Sequence, residues 1–183
     1  MMLYATVTGI SILSAQYWGK NDRKTVVDVF AFGLRVALII SVVYFVGCVF
    51  FPEKLMAIFT NEKVLIDIGA RYLKIAGWSY LLTGVSQCYL CIFKVGERAK
   101  ITATISSSIV VINIVLNAIL IFGFLGAPRL EERGAAVATL ISRIIELVWC
   151  IAISYKKGYI HPSIKSLFSF KKLLVKDYFR CSL

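Results

Sequence analysis

The stretch Ile101–Gly126, ITATISSSIVVINIVLNAILIFGFLG, contains no charged residue. As a helix rising about 1.5 Å per residue, it is longer than the ~30 Å hydrocarbon core of a lipid bilayer. An uncharged apolar run of this length is typical of a transmembrane helix. Two asparagines, Asn113 and Asn117, interrupt its second half with strongly polar side chains.

The composition of the whole chain agrees with a membrane protein. Hydrophobic residues make up 59% of the 183 positions and charged residues 17%, whereas soluble domains average roughly 45–50% and about 25%. The formal net charge is +11, but the basic residues bracket the apolar runs instead of forming a stripe with interleaved aromatics. We therefore expect no nucleic-acid partner.

Four more apolar tracts accompany the first. They run from Met1 to Trp18, from about Val26 to Phe51, from about Ile66 to Phe93, and from Gly134 to Tyr155. Turn-forming and charged segments separate them, and Pro52 closes the second. The sequence predicts an all-α, polytopic transmembrane bundle with about five membrane-spanning helices over residues 1–160.

The distribution of Lys and Arg between the loops predicts the orientation. Segments 19–24 and 94–100 carry three each and the tail after Tyr155 carries seven, which makes thirteen. The loops on the opposite side carry two each: Lys54 with Lys63, and Arg129 with Arg133. The positive-inside rule places the first set in the cytoplasm. The first tract then runs from outside to inside, and we expect a helix upstream of Met1.

The tail at 161–183 has an amphipathic pattern. Its apolar and polar residues fall on opposite sides of a helix: Ile164, Leu167, Phe168, Leu174, Val175 and Tyr178 against Lys165, Ser169, Lys172 and Lys176. Such a pattern predicts a cytoplasmic connecting segment that lies in the membrane interface. A solvated linker is the alternative, since the segment contains Pro162.

Six short motifs follow one another along the chain. They are Gly9-x-x-x-Leu13-x-Ala15-Gln16-x-x-Gly19-Lys20, Phe51-Pro52-Glu53-x-Leu55-Met56, Tyr72-Leu73, Gly96-Glu97, Asn113-x-x-x-Asn117-x-x-Leu120-Ile121-Phe122-Gly123, and Gly134-Ala135-Ala136-x-Ala138-Thr139-x-Ile141-Ser142-Arg143. In this order and at these distances, the chain resembles the MATE (multidrug and toxic compound extrusion) family of cation-coupled antiporters. The resemblance implies twelve helices in two six-helix lobes in the bacterial cytoplasmic (inner) membrane.

The same resemblance implies that the chain is a partial N-terminal lobe. The first tract matches the end of the family's second helix, and the others match helices three to six. The family's first helix, which carries an essential acidic residue, and the second lobe would have to come from elsewhere. The implied substrates are organic cations, exported in exchange for Na⁺ or H⁺. The implied partners are the lipid bilayer and the missing helices, and no cofactor or metal is expected beyond the coupling ion.

Asn113 and Asn117 are the best candidates for a functional site. Their i, i+4 spacing places both on one face of the charge-free helix, and amide oxygens are ligands that suit hard cations. Interhelical hydrogen bonding is an equally good interpretation from the residues alone. The resemblance aligns the pair with the family's N-lobe cation and proton site, and aligns Thr139 with a hydroxyl position near it.

Two further features lie on the last tract. Arg143 is about 14 Å along the helix from Gly134, and Glu146, three residues on, is its predicted partner. An intramembrane ion pair is a hypothesis of function, although pairing alone explains it structurally. Gly134, Ala138 and Ser142 form a small-residue stripe at four-residue spacing, which predicts close helix packing rather than a ligand site.

The sequence offers little for an enzyme. It contains one histidine, in the tail, and no Gly-x-Ser-x-Gly, zinc-ligand pair or phosphate loop. The five cysteines, four of them within apolar tracts, are interpreted as small helix residues. Two alternatives to the antiporter stay open at this stage: a lipid-linked oligosaccharide flippase of related architecture, and a non-functional truncated transporter.

Overall fold

The computed structural model describes residues 2–96, 99–123 and 131–156. These residues form helices and short turns, with no strand among them, so the predicted all-α class is confirmed. In chain order the helices are α1 (Met2–Gly19), α2 (Arg23–Phe50), α3 (Pro52–Ala57), α4 (Lys63–Val95), α5 (Ala99–Phe122) and α6 (Glu131–Lys156).

The turn between α1 and α2 follows from two polar residues. Asn21 adopts a left-handed backbone with φ of 57°, a conformation that asparagine tolerates better than most residues. The side chain of the next residue, Asp22, accepts a hydrogen bond from the Thr25 backbone N–H at 3.2 Å. A carboxylate in that position caps the first turn of a helix and favours a start at Arg23.

Pro52 both closes α2 and begins α3. A proline lacks the N–H that would continue α2, but its fixed φ suits the first position of a new helix. α3 is a six-residue helix with Pro52 in its first turn. The sequence predicted the end of the second tract correctly but did not predict this short helix, because six residues are too few to show helical periodicity.

α5 ends earlier than the uncharged run does. The sequence predicted a helix as far as Gly126, whereas α5 ends at Phe122. Gly123 follows with φ of 74°, a left-handed conformation that stops a helix and that glycine adopts without steric cost. The end of helix α5 is therefore set by backbone conformation and not by where the apolar run ends.

Three of the described helices are long and apolar enough to cross a membrane: Arg23–Phe50 in α2, Ala99–Phe122 in α5 and Arg133–Tyr155 in α6. α1 and α4 have 18 and 33 residues but are not among these three. Their assignment as membrane spans therefore stays a prediction, and so does the count of about five. The predicted amphipathic tail at 161–183 lies outside the described residues.

The described chain divides into two compact units. Among the described residues, the first comprises 2–40, 84–96, 99–105 and 148–156, and its buried apolar residues come mainly from α1, α2 and α4. Phe30 of α2 packs edge-to-face on Tyr89 of α4, with ring centroids 5.3 Å apart. The cysteines of α4 behave as small core residues, since Cys88 and Cys91 are both buried and unbridged.

The second unit comprises, among the described residues, 41–83, 106–123 and 131–147. Within it, Phe45 of α2 packs edge-to-face on Trp78 of α4 at a centroid distance of 4.8 Å. The Gly77 Cα lies against α2 so closely that a methyl group there would come within 2.9 Å of Val49. The same unit contains the facing segments of α5 and α6, which hold the residues predicted to form a site.

Candidate functional site

α5 and α6 approach each other closely where α6 begins. A methyl group on Gly134 would lie 2.6 Å from the backbone oxygen of Leu120 and 2.8 Å from its carbonyl carbon. Gly134 is therefore in backbone contact with α5, and Ala138 and Ser142, further along the same face, are also buried. The predicted role of this small-residue stripe in close packing is confirmed at Gly134.

A chain of hydrogen bonds crosses from α5 to α6 about two turns further on. Asn117 Nδ2 donates to Asn113 Oδ1 at 2.9 Å, and Asn113 Nδ2 donates to Ser142 Oγ at 3.2 Å. The Ser142 hydroxyl then donates to the Ala138 carbonyl at 2.8 Å. The two predicted asparagines are thus brought together, and Ser142 connects them to the backbone of α6.

The order of donation leaves oxygen atoms available at the α5 end. Because the Ser142 hydrogen is committed to Ala138, its oxygen accepts the Asn113 amide, and the Asn113 oxygen accepts from Asn117. Among the described residues, Asn117 Oδ1 has no hydrogen-bond donor, and Asn113 Oδ1 keeps a second lone pair. Both asparagines are partly buried. This edge of the cluster presents neutral amide oxygens in a partly dehydrated place.

Among the described residues, Thr139 forms no hydrogen bond with the two asparagines. Its hydroxyl donates at 2.9 Å to the Ala135 carbonyl, one turn earlier in α6. This bond satisfies the hydroxyl hydrogen within its own helix and leaves the Thr139 oxygen able to accept or to coordinate. Its predicted part in the site stays a prediction.

Arg143 and Glu146 form the predicted ion pair. Arg143 Nη1 donates to Glu146 Oε2 at 2.5 Å. The Glu146 side chain is 2% exposed and the Arg143 side chain 32% exposed. Both lie within Arg133–Tyr155, one of the candidate spans. The carboxylate is thus buried in the helix packing, while part of the guanidinium is not covered by the described residues.

A known protein family matches more than half of this chain. A family model described as MatE matches residues 1–119, which include Asn113 and Asn117. The chain belongs to the MATE family. Membership agrees with the resemblance drawn from the six motifs and, with the three apolar helices, makes this a membrane protein.

Curated MATE relatives match most of this chain. An uncharacterized transporter, YisQ of Bacillus subtilis, is 24% identical over 172 residues, which cover 94% of this chain and 38% of the relative. A probable multidrug resistance protein, NorM of Bacillus licheniformis, is 28% identical over 151 residues, which cover 82% and 32%. The chain thus spans between about a third and two-fifths of the length of these relatives.

A solved MATE structure matches the fold. An inward-facing multidrug resistance MATE family transporter of the MOP superfamily superposes with a TM-score of 0.85 at 19% identity. The match covers 98% of this chain and 40% of the other. The described helices therefore have the arrangement of a partial MATE lobe.

Ser142 is the member of the site that the sequence did not predict. It belongs to a small-residue stripe, and that stripe was interpreted only as a packing face. The available signal was the presence of a hydroxyl on the face that meets α5, where two amides need partners. Small polar residues in such a stripe can both allow close approach and donate or accept hydrogen bonds.

Proposed function

We propose that the chain is part of the N-terminal lobe of a cation-coupled antiporter that exports drugs or organic cations across the bacterial cytoplasmic membrane, driven by Na⁺ or H⁺. Family membership and the names of the bacterial relatives support a transporter of this kind. The observation that carries the proposal is the Asn117–Asn113–Ser142 chain between two membrane-spanning helices. In this proposal the amide oxygens at its α5 end contribute to the coupling-ion site.

The number of ligands available indicates how such a site would be completed. Alkali cations, like other hard cations, take several oxygen ligands. Asn117 Oδ1 and the second lone pair of Asn113 Oδ1 provide two, and the Thr139 hydroxyl oxygen is a candidate third. The family resemblance assigns an acidic residue to the missing first helix. A carboxylate there would supply both further ligands and the group that a proton can occupy instead of Na⁺.

The flippase alternative makes a different electrostatic demand. A lipid-linked oligosaccharide carries phosphate groups, which an excess of basic residues would have to hold. Within residues 101–123 of α5 and the turn that follows it, and within residues 134–155 of α6, the charged side chains are Arg143 and Glu146. These two are paired. Residues 101–123 and 134–155 therefore carry no net charge, so the antiporter is the better supported of the two.

The test is an Asn117→Leu substitution in the whole transporter, expressed in an efflux-deficient bacterium. Leucine branches at the same carbon as asparagine but has no amide oxygen, so ethidium export and its dependence on the coupling ion should be lost. The amount of protein in the membrane should remain near the wild-type amount, because the lost bond joins two residues of α5, and even an interhelical polar contact in a membrane contributes only ~0.6 kcal/mol. Export and abundance are measured in the same cells.

Ser142→Ala is the matched control. It removes the acceptor that joins Asn113 to α6 but leaves both amide oxygens in place. If the asparagines act in coupling, this variant keeps most of its export while Asn117→Leu does not. Equal loss of export in both variants, or wild-type export with unchanged cation dependence in Asn117→Leu, would assign the cluster to helix packing and contradict the proposal.

A further inference from the structure

Arg143 lies in the middle of its membrane span. Ten residues separate it from Arg133 and twelve from Tyr155, at the two ends of the candidate span, which correspond to about 15 and 18 Å along the helix. An arginine side chain reaches roughly 7 Å, so it cannot bring its charge to either headgroup region by snorkelling. A charge at this depth requires a protein partner or a water-filled cavity.

Glu146 satisfies only part of this requirement. The guanidinium carries five N–H donors, and the contact with Glu146 uses Nη1. Among the described residues, Nε and Nη2 of Arg143 have no acceptor, and about a third of the side chain is exposed. Polar groups at membrane depth are expensive to leave unsatisfied. The remaining donors therefore require an acceptor from outside the described residues.

The pairing is suited to holding the guanidinium in place. Glu146 is spaced four residues from Ser142, on the buried side that packs against α5. α5 and α6 run antiparallel, with Leu120 beside Gly134 and Asn113 beside Ser142. Continuing this register, Glu146 lies beside the turn of α5 around Ile109. No titratable residue occurs in α5 from Ile101 onward. The buried carboxylate thus anchors one edge of the guanidinium, and the opposite edge points away from it.

We propose that Arg143 binds a carboxylate of the transported molecule, and that Glu146 is the positioning residue that orients it. Nε and Nη2 form the edge of a guanidinium that takes a carboxylate in a bidentate fashion. Arg143 would then determine how strongly the transporter favours a substrate with a carboxylate over an otherwise identical simple cation. This inference rests on the proposed export function and names a specificity-determining residue for it.

The experiment uses two dyes that differ only at the carboxylate. Tetramethylrhodamine has a free carboxylate and is a zwitterion, and its methyl ester is a simple cation. Accumulation of each dye is measured in everted membrane vesicles that contain the whole transporter and carry an imposed coupling-ion gradient. The quantity compared between variants is the ratio of free-acid to ester accumulation.

The charge of Arg143 is tested with a double variant of Arg143 and Glu146, compared with a single variant of Glu146. Arg143→Gln alone would leave the Glu146 carboxylate buried without a partner, a defect that by itself can unfold a protein. Arg143→Gln with Glu146→Gln replaces the ion pair by two amides of similar shape, and Glu146→Gln alone keeps the arginine charge beside an amide oxygen. Arg71→Gln removes one positive charge from the exposed Arg71–Asp67 pair of α4 and controls for net charge.

We expect the accumulation ratio to fall at least about tenfold in the double variant, because its binding edge loses a charge-assisted, bidentate contact. The ratio should stay near the wild-type value in Arg71→Gln. It should fall by less than in the double variant in Glu146→Gln, which keeps the arginine charge but loses the carboxylate that orients it. An unchanged ratio in the double variant, or wild-type vesicles that take up the ester but not the free acid, would overturn the assignment of Arg143 alone. Wild-type vesicles that accumulate neither dye would overturn the proposed export function as well.

Discussion

At Gly134, the space that a side chain would need is filled by the backbone of Leu120. We expect Gly134→Ala to push α5 and α6 apart, because a methyl group 2.6 Å from a carbonyl oxygen cannot be accommodated without movement. Overpacking of this kind costs about 1–3 kcal/mol. The variant should unfold at a lower temperature than the wild type in detergent, as measured by a fluorescence-based thermal melt.

Gly47→Ala is the matched control for that prediction. Gly47 also lies inside a long helix, α2, but a methyl group there would meet the Leu55 side chain at 3.5 Å, an ordinary contact distance. Its melting temperature should equal or slightly exceed that of the wild type, since alanine favours a helix more than glycine does. Equal melting temperatures for Gly134→Ala and the wild type would contradict the close backbone approach.

Part of the candidate site could be predicted residue by residue. Asn113 and Asn117 were predictable as a pair because i, i+4 spacing within one helix is a property of the sequence. The Arg143–Glu146 contact was predictable for the same reason. The bond from Asn113 to Ser142 was not predictable, because it depends on the axial register between α5 and α6. That register is set by backbone contacts such as the one between Gly134 and Leu120.

At the scale of helices, the apolar runs predicted which segments are helical better than they predicted where each helix ends. The apolar tracts correspond to α1, α2, α4, α5 and α6 to within a few residues. The differences occur where backbone conformation ends a helix, as at Gly123, or where a proline begins one, as at Pro52. Neither depends on hydrophobicity, so neither can be obtained from the apolar pattern.

The orientation of the helices is predicted by the thirteen-to-four division of basic residues. With the native cysteines removed, a single cysteine at Asn21 or Lys156 should be shielded from an impermeant thiol reagent applied outside intact cells. A cysteine at Asn61 or Leu130 should be labelled, because positive-inside topology places those loops outside. Labelling is read by mass-tagging of the protein before and after cell lysis.

Lysis is the internal control for that experiment, because every position should become reactive once the membrane is opened. Asn21 and Asn61 are both exposed, so poor access within the protein would not mimic shielding by the membrane. Labelling of the first pair and not the second in intact cells would reverse the predicted orientation.

At the scale of the whole molecule, transport by alternating access requires two halves that move about a shared site. A coupling ion drives exchange only if it binds two conformations unequally. The 183 residues correspond to 40% of the matched transporter structure. We therefore expect these residues, expressed alone, to insert into the membrane but to leave ethidium accumulation in an efflux-deficient bacterium as fast as in cells with an empty vector.

The whole transporter in the same strain is the positive control, and membrane abundance of the 183-residue chain is measured beside it. Energy-dependent ethidium export by the chain alone, abolished by Asn117→Leu, would show that one partial lobe suffices. In that case, oxidative crosslinking through Cys181 between chains tests whether two copies assemble into a pair of lobes.

The unequal apolarity of the helices has a consequence for how the protein is made. We expect α2, α5 and α6 to pass from the translocation channel into the bilayer independently, because each is long and apolar enough to cross a membrane. α4 contains Ser79, Thr83 and Gln87 within its length, and its hydroxyls bond to its own backbone, as Ser79 does to Ala76 and Thr83 to Ser79. α2 leaves the ribosome earlier, and the contacts of Phe30 with Tyr89 and of Phe45 with Trp78 lie along its length. We expect α4 to be retained at the channel until α2 is beside it, so that the two enter the bilayer as a pair.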